Sequence, residues 1–385
     1  MSTLKVGGIR GVSASSDAIT VANDGSCTAN ITNNLSNRNL IINGAMQVAQ
    51  RSAAAVAVSD NSNEGYQTLD RFKTTFGNSA VGAANISQST DAPTTLGFTK
   101  SHKTDVTTVN TTASGQQMIQ ITYRVEGQDL RSSGWNHLSA SSFITLSFYF
   151  KTTKTGTSKL PIGLRTRHGT NYYYVQNVTV TDPTNWNRYT VTIPGNSNLQ
   201  IDDADTAGMD INFSYYTGPD KDTSSEGSWG STNAYSTSES TNYFDSTSND
   251  MFITGVQLEV GEHATDFEHR PFAVEERLCK RYFCKYDGPL NINFVNEHAA
   301  NKKGYLHFPY EEVMRATPSV AFSSVGISRP QVSVGRSISE AQNIQKRCFN
   351  LVGWPNESEL GSHGDAYYRM SVSSSGGFIT CDAEL

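Results

Sequence analysis

The chain has 385 residues, enough for about two or three domains with a substantial apolar core. Only 17% of the residues are charged while 10% are aromatic, which argues against disorder and favours pleated, half-buried β structure. The formal net charge is −6, so the chain has no excess of basic residues and no nucleic acid is expected as a partner. The first residues lack the apolar core of a signal peptide and no apolar run reaches membrane-span length. A soluble protein made in a cytoplasm, with no membrane insertion, is therefore predicted.

The five cysteines are odd in number and widely spaced, which is a poor basis for a disulfide framework. No CxxC pair or Cys/His ligand spacing occurs among them. We expect all five to be reduced and mostly buried, as small apolar residues. They are Cys27, Cys279, Cys284, Cys348 and Cys381.

Residues 1–38 form a region of their own with short alternating patterns. Ile19 and Val21 alternate with polar residues, Asn23-Asp24-Gly25 is typical of a hairpin turn, and Ala29 and Ile31 resume the alternation. Strands this short do not bury enough surface to be stable alone, which indicates oligomerisation or a docking partner. The alternative is a frayed chain end.

Residues 39–273 are predicted to form one β-sandwich. In segment 119–126 (IQITYRVE) the apolar residues fall on one face with period two, and segments 144–150, 189–193 and 252–260 show the same pattern. Clusters of Gly, Asn, Asp and Pro separate these segments, and no helical pattern lies between them. Many half-buried strands in this arrangement indicate a jelly-roll-like sandwich.

A serine- and threonine-rich stretch, residues 218–250, interrupts the sandwich pattern. It contains 14 serines and threonines, but Trp229, Tyr235, Tyr243 and Phe244 distinguish it from a flexible linker. We interpret it as a long surface excursion between two strands.

One short helix is predicted over 274–282 (VEERLCKRY), because acidic residues come early and basic residues late, as the helix dipole favours. It forms a helical linker, residues 274–286, between the sandwich and a C-terminal β-domain, residues 287–385. That last region shows short strand patterns joined by turns rich in Gly, Ser, Asn and Pro. The predicted fold class is therefore all-β.

Three sets of segments resemble the tail-fibre-like virion structural proteins of tailed, marine-type bacteriophages. The opening pattern is 38–51 (RNLIINGAMQVAQR) followed by 69–72 (LDRF). The closing pattern is 253–261 (ITGVQLEVG) followed by 265–270 (TDFEHR) and the helix ending in CKRYF. The module between them is similar to carbohydrate-binding jelly rolls. The C-terminal portion is similar through FP at 308, MRATP at 314 and the final DAEL.

The resemblance implies an elongated homotrimer, located in the virion and synthesised in the host cytoplasm. Its N-terminal region would attach to another tail or virion protein, while outer domains face a glycan or protein of the host surface. The attachment residues expected on this basis are Leu4, Val6, Ile9, Ile19 and Val21. The resemblance supplies no catalytic motif.

The shared motifs have a scaffold interpretation. Asn43-Gly44 supplies a tight turn after an apolar strand, residues 40–42. Val256 would face the core, as would Leu258. Arg71 and Arg270 would pair with carboxylates and fix the two ends of the sandwich.

Aromatic residues carry the sugar-binding hypothesis, because a ring covers the apolar face of a sugar while polar neighbours bond its hydroxyls. The alternative for each is packing between sheets or subunits. Trp229 is the favoured candidate, since a large apolar ring in so polar a stretch needs a partner. The candidates are Tyr172, Tyr174, Trp229, Tyr235 and Trp354.

No cofactor is expected, with a structural calcium ion as the one alternative. Asp202, Asp203 and Asp205 would offer oxygen ligands, but their spacing does not match a calcium loop, and a solvated acidic loop is the favoured interpretation.

The chain is not expected to be an enzyme, because none of the familiar nucleotide-binding, esterase or metalloprotease motifs occurs. Two rival functions stay open. One is a purely architectural adaptor or decoration protein of the tail or capsid. The other is a glycan-degrading tail spike, which would need paired carboxylates in a groove.

Overall fold

We describe the chain from a computed structural model. The described residues are 6–12, 19–21, 27–29, 37–60, 64–110, 115–287, 290–295, 304–329, 332–353, 367–372 and 377–385. Strands make up 43% of the structure and helices 7%, which confirms the predicted all-β class. Within the described residues no helix is long and apolar enough to cross a membrane.

The N-terminal region forms a small three-stranded antiparallel sheet, as its alternating pattern predicts. The strands are β1 (Gly8–Ile9), β2 (Ile19–Val21) and β3 (Cys27–Ala29), in the order β1-β2-β3. Ile19 pairs with Ala29, so β2 and β3 form the expected hairpin. The proposed turn residues 23–25, together with Leu4 and Ile31, lie outside the described residues.

Two antiparallel sheets form the sandwich. The five-stranded sheet has the order β11-β10-β13-β8-β5, and the six-stranded sheet has the order β12-β9-β14-β7-β6-β4. Their strands are β4 (Val56–Ser59), β5 (Phe72–Gly77), β6 (Ala83–Ser89), β7 (Ser101–Thr108), β8 (Met118–Glu126), β9 (Phe143–Thr152), β10 (Ser158–Thr166), β11 (Tyr173–Val180), β12 (Asn187–Pro194), β13 (Ala207–Thr217) and β14 (Asp250–Val260).

The core of the sandwich follows from the period-two pattern, since alternate residues of a strand point to opposite faces. Ile119, Ile121 and Tyr123 of β8 are buried in the same cluster as Ile144 and its neighbours on β9. The Phe148 and Phe213 rings meet edge to face across the two sheets, with centroids 5.0 Å apart. Each such side chain stabilises the fold by about 2 kcal/mol through burial of apolar surface.

The opening segment runs beside strand β14 but is not itself a strand, so the strand expected over 40–42 is wrong. The Asn39 side chain donates to the Val256 carbonyl (3.2 Å) and accepts from the Leu258 amide (3.0 Å). The Leu40 amide donates to the Leu258 carbonyl at 2.9 Å. An asparagine side chain thus takes the place of regular strand pairing at an irregularity of β14, between Thr254 and Gln257.

The expected turn after this segment is confirmed, over residues 42–45. Asn43 has a positive φ of 62°. The Gly44 carbonyl accepts from the Val256 amide at 2.9 Å, so the turn packs directly on β14.

Among the described residues two α-helices accompany the sheets, together with two short 3-10 helices, Thr94–Leu96 and Pro219–Lys221. The predicted helix is confirmed as α2 (Phe272–Lys280), beginning two residues earlier than expected, with Glu275 in its first turn and Lys280 in its last. The other, α1 (Gly127–Ser132), was not predicted. It has six residues and no side-chain cap, and tertiary contacts hold its start: the Gly127 amide donates to the Thr206 carbonyl at 2.9 Å.

The C-terminal region contains two further antiparallel sheets, with the orders β15-β23-β18 and β16-β22-β19-β20-β21-β17. Phe308, Met314, Phe349 and Ile379 lie in a second buried apolar cluster. Strand β15 begins inside the predicted linker and ends one residue beyond it, and the limits of the four predicted segments stay predictions. The strands are β15 (Phe283–Asp287), β16 (Leu290–Val295), β17 (Gly304–Pro309), β18 (Ser319–Ser323), β19 (Val325–Arg329), β20 (Val332–Gln342), β21 (Cys348–Gly353), β22 (Tyr367–Val372) and β23 (Phe378–Asp382).

Four of the five cysteines have described side chains, and all four are free thiols. Cys279, Cys284 and Cys381 are buried, while Cys348 is partly buried. Burial raises the pKa of the Cys284 thiol to about 12, which keeps it protonated and unreactive.

Candidate functional site

The five-stranded sheet has one side that points away from the sandwich core, and this side carries rows of mostly polar side chains. We call it the outer face. Strand register aligns its residues in rows that cross the sheet. The first row is Arg124, Asp210, Arg165 and Tyr173. The second is Lys73, Thr122, Asn212, Gly163 and Val175. The third includes Thr75, Gln120 and Ser214.

Amide and hydroxyl groups form the floor of the outer face. Asn212 accepts from the Thr122 hydroxyl (2.8 Å) and the Gln120 amide (3.0 Å) at one oxygen. Its own amide donates to the Gly163 carbonyl at 3.2 Å. All three side chains are buried, so their positions are fixed before any ligand arrives.

Charged side chains gather at one end of the outer face. Asp210 pairs with Arg124 at 3.0 Å and with Arg167 at 3.5 Å. Arg165 stands over the Tyr173 ring, 5.7 Å from its centroid. Burial, together with the nearby Arg124, lowers the pKa of Lys73 below its ordinary value.

The excursion, residues 218–250, covers the edge of this sheet. Tyr173 and Gly230 exchange two backbone hydrogen bonds, of 2.7 and 2.9 Å, so the excursion adds a bridge to the edge strand β11. The Tyr235 ring packs edge to face on Tyr173, with centroids 5.7 Å apart. Gly163 lies beneath Tyr235, where an added Cβ would approach the ring at 3.3 Å. The excursion is therefore an ordered cover, as expected for a surface excursion between strands.

Two cavities open where the excursion crosses the outer face. One, of about 300 Å³, is lined by Tyr173, Val175, Trp229 and small residues of the excursion. The other, of about 230 Å³, lies between Pro161, Ser214 and the later part of the excursion. The walls of both cavities offer hydroxyl groups beside aromatic carbon.

The predicted sugar-binding residues fall into two groups around edge strand β11. The Trp229 indole donates to the Pro194 carbonyl at 2.7 Å and lies 5.4 Å from the Tyr174 ring, while the partly buried Tyr172 packs against the same core. Tyr174 is only 3% exposed, and its hydroxyl donates to the Thr192 carbonyl. Tyr235 joins the outer face instead.

The aromatic side chains at β11 are well suited to packing, and sugar contact by them stays a prediction. The fifth candidate, Trp354, lies outside the described residues. Trp229 lines the larger of the two cavities described above.

The acidic residues 202, 203 and 205 are not brought together as a ligand set. Asp202 contacts His168 at 3.2 Å, whereas Asp205 forms an ion pair with Lys346 at 2.6 Å. Across the part of the chain that the structure describes, no group of three or more His, Cys, Asp or Glu side chains is placed to hold a metal ion.

Sequence reasoning missed the residues of the outer face. Gln120, Thr122 and Arg124 are the polar alternates of a strand whose apolar residues were used to predict the core. Their spacing of two was the available signal. Which strands would lie beside β8, and so which polar residues would join them, depends on long-range register that one sequence does not reveal.

Sequence reasoning also missed a second aromatic cluster, on the side of the six-stranded sheet that points away from the sandwich core. The Trp186 and Phe252 rings meet edge to face with centroids 6.3 Å apart, and Lys151 stands 5.9 Å from the Trp186 centroid. The Trp186 indole donates to Asp91 at 3.0 Å.

No family model matches the sequence, and no curated protein sequence matches it. Among solved structures, the enzymatically active domain of tailspike protein 4 from bacteriophage CBA120 aligns with 58% of this chain at 13% identity and a TM-score of 0.29. The chain spans 21% of that domain's length. A family 4 carbohydrate-binding module aligns with 57% of this chain and 98% of its own, at 10% identity and a TM-score of 0.29. The family 11 carbohydrate-binding module of a cellulosomal cellulase from Clostridium thermocellum aligns with 56% and 99%, at 10% identity and a TM-score of 0.28. Similarity at this level does not assign a function, so the geometry of the outer face carries the proposal below.

Proposed function

We propose that the chain is a tail-fibre-type structural protein of a tailed-phage virion, and that its outer face binds a glycan of the host surface. The proposal depends on one observation, the hydrogen-bonded cluster of Gln120, Thr122 and Asn212, flanked by Tyr173 and a cavity that Trp229 lines. Sugars present hydroxyl groups around an apolar ring face. Fixed amides and hydroxyls beside aromatic carbon are complementary to that pattern.

Attachment to the virion is supported by the N-terminal sheet. Val6 is 43% exposed, Ile9 54% and Val21 38%. A small sheet with exposed apolar side chains gains stability when another protein or a sister copy covers it. This fits the trimeric, virion-anchored arrangement that the sequence motifs imply.

Binding without hydrolysis is part of the proposal. In the three rows named above Asp210 is the one carboxylate, and Arg124 and Arg167 hold it as an ion pair. Asp222, which lines the smaller cavity, accepts from the Ser236 hydroxyl at 2.7 Å. Glycoside hydrolysis ordinarily uses two carboxylates across the scissile bond. Incubation with host envelope polysaccharide should release no new reducing ends, and their release would establish a degrading spike instead.

The test of glycan recognition is a glycan array followed by titration of the strongest ligand. Gln120→Ala and Thr122→Val should each weaken binding by about tenfold, because each removes a hydrogen bond that fixes Asn212 in the floor of the outer face. Thr190→Val, on the exposed surface of strand β12, is the matched control and should leave affinity within about twofold. Unchanged affinity in both floor variants would contradict the proposal.

A further inference from the structure

Four cationic side chains gather at the charged end of the outer face. Lys73 belongs to β5, Arg124 to β8 and Arg165 to β10, and Arg167 follows directly after β10. Two side-chain carboxylates influence this group. Asp210 pairs with Arg124 and Arg167, and both Asp210 and Glu64 oppose the lowering of the Lys73 pKa. Arg124 also donates to a Leu385 oxygen at 2.6 Å. Positive charge therefore exceeds negative charge at this end.

Two of the four cations lack a carboxylate partner. Among the described residues, no carboxylate lies within ion-pair distance of Lys73 or Arg165. The buried Nε of Arg165 has no hydrogen-bond partner either. The guanidinium of Arg165 hydrogen-bonds the Tyr235 hydroxyl, which is a neutral partner, so its charge stays available to an incoming carboxylate.

The cations are spread out along the sheet. From β5 to β10 there are three strand intervals, which correspond to about 14 Å. A single small anion does not bridge that width. A chain of sugar units with charged groups at intervals does.

We infer that the ligand of the outer face is an acidic glycan, an oligosaccharide carrying carboxylate groups that meet Lys73 and Arg165. This rests on the proposed glycan recognition and narrows its ligand class. Neutral sugar hydroxyls would lie on Gln120 and Thr122, while the carboxylates extend toward the charged end. Nucleic acid is the other extended polyanion, but the net charge of −6 and the amide floor favour a glycan.

The experiment measures binding of the full chain to polygalacturonate and to alginate, each beside its carboxyl-reduced counterpart, at low and high salt. The acidic polymers should bind about tenfold more tightly than the reduced ones at low salt. That preference should fade as salt rises, because exposed charges are screened. Single-stranded DNA is the third probe and should bind more weakly than either acidic polymer.

The double variant Lys73→Gln/Arg165→Gln should lose the preference for acidic polymers while keeping affinity for the reduced ones. Lys103→Gln/Lys151→Gln, on the opposite sheet, makes the same change in net charge and should keep the preference. Should the first double variant not fold, the salt dependence of the unaltered chain decides. Equal binding of acidic and reduced polymers would overturn the inference and leave glycan recognition standing. Failure of the acidic polymers to bind, or tighter binding of DNA, would also overturn the inference. The glycan array tests the proposed function separately.

Discussion

Arg71 lies buried where the sandwich meets the C-terminal region. It pairs with Glu384 at 2.5 Å, stacks over the Tyr282 ring at 3.5 Å, and donates to the Arg124 carbonyl at 2.7 Å. Two motifs far apart in sequence, LDRF at 69–72 and the final DAEL, thus meet at one ion pair. The expectation that Arg71 and Arg270 pair with carboxylates is confirmed, since Arg270 contacts Glu275 at 3.0 Å.

Replacing Glu384 should destabilise the fold strongly. Glu384→Gln leaves the Arg71 charge buried without its counter-charge, which costs about 3 kcal/mol of unfolding free energy. Asp382→Asn is the control, because Asp382 is 41% exposed and its pair with Arg51 contributes within about 1 kcal/mol. Urea denaturation measures both, and equal small losses would show that the buried pair does not hold the two regions together.

His102 makes the fold sensitive to acid. Its side chain is 1% exposed, neither ring nitrogen has a hydrogen-bond partner on another described residue, and burial lowers its pKa from 6.5 to about 4. The unfolded chain therefore binds a proton at His102 between those two pH values while the folded chain does not. The contribution of neutral His102 to the unfolding free energy is therefore fully present above pH 6.5 and is lost as the pH falls toward 4.

His102→Leu should remove this pH dependence. Between pH 8 and pH 5 the unaltered chain should lose about 2 kcal/mol more than the variant, measured by urea denaturation at both values. Other titrating groups, such as Asp70, whose pKa burial raises to about 7, cancel in the comparison. The exposed His263 provides the control, His263→Gln, and parallel pH curves for all three proteins would contradict the account.

At the scale of elements, the opening turn and strand β14 form one unit. An added Cβ at Gly44 would overlap the Val256 carbonyl oxygen. Gly44→Ala should therefore cost about 3 kcal/mol of unfolding free energy, since neither backbone segment is free to move. Gly230→Ala is the matched control, because Gly230 has nothing within 4 Å of an added Cβ and should tolerate the change. Similar thermal midpoints for the two variants would contradict this packing.

Strands with clean period-two patterns were predictable because one buried face marks them. The opening segment was not, since Ile41 is buried and its neighbours partly buried beside β14, where Asn39 side-chain hydrogen bonds replace regular strand pairing. Helix α1 was missed because tertiary hydrogen bonds, not local sequence, hold its first residues. The sequence indicated that the Trp229 ring needs a partner, but the residues it contacts, Tyr174 and the Pro194 carbonyl, depend on the fold.

At the scale of the whole molecule, polar contacts join the sandwich to the C-terminal region. Arg315 donates to the Asp205 carbonyl (2.6 Å) and to the Ala383 carbonyl (2.8 Å). Lys346 pairs with the Asp205 carboxylate. A residue proposed as a calcium ligand therefore serves this junction, because sequence spacing alone does not show which distant cation approaches a carboxylate.

The proposed trimer is tested by sedimentation equilibrium of the full chain. A protomer of 41.9 kDa should sediment at about three times that mass, and Val6→Asp/Ile9→Asp should shift the mass toward the protomer by charging the exposed sheet. Leu138→Asp is the control, because Leu138 is an exposed apolar residue outside the N-terminal sheet. A stable monomer of the unaltered chain would contradict the arrangement.

The central claim is that the outer face of the five-stranded sheet holds the glycan. A crystal structure of the full chain with a bound oligosaccharide tests it most directly. Sugar density should lie over Gln120, Thr122 and Asn212, with a carboxylate near Lys73 or Arg165. Density over Trp186 and Phe252 on the opposite sheet, with the outer face empty, would contradict the claim.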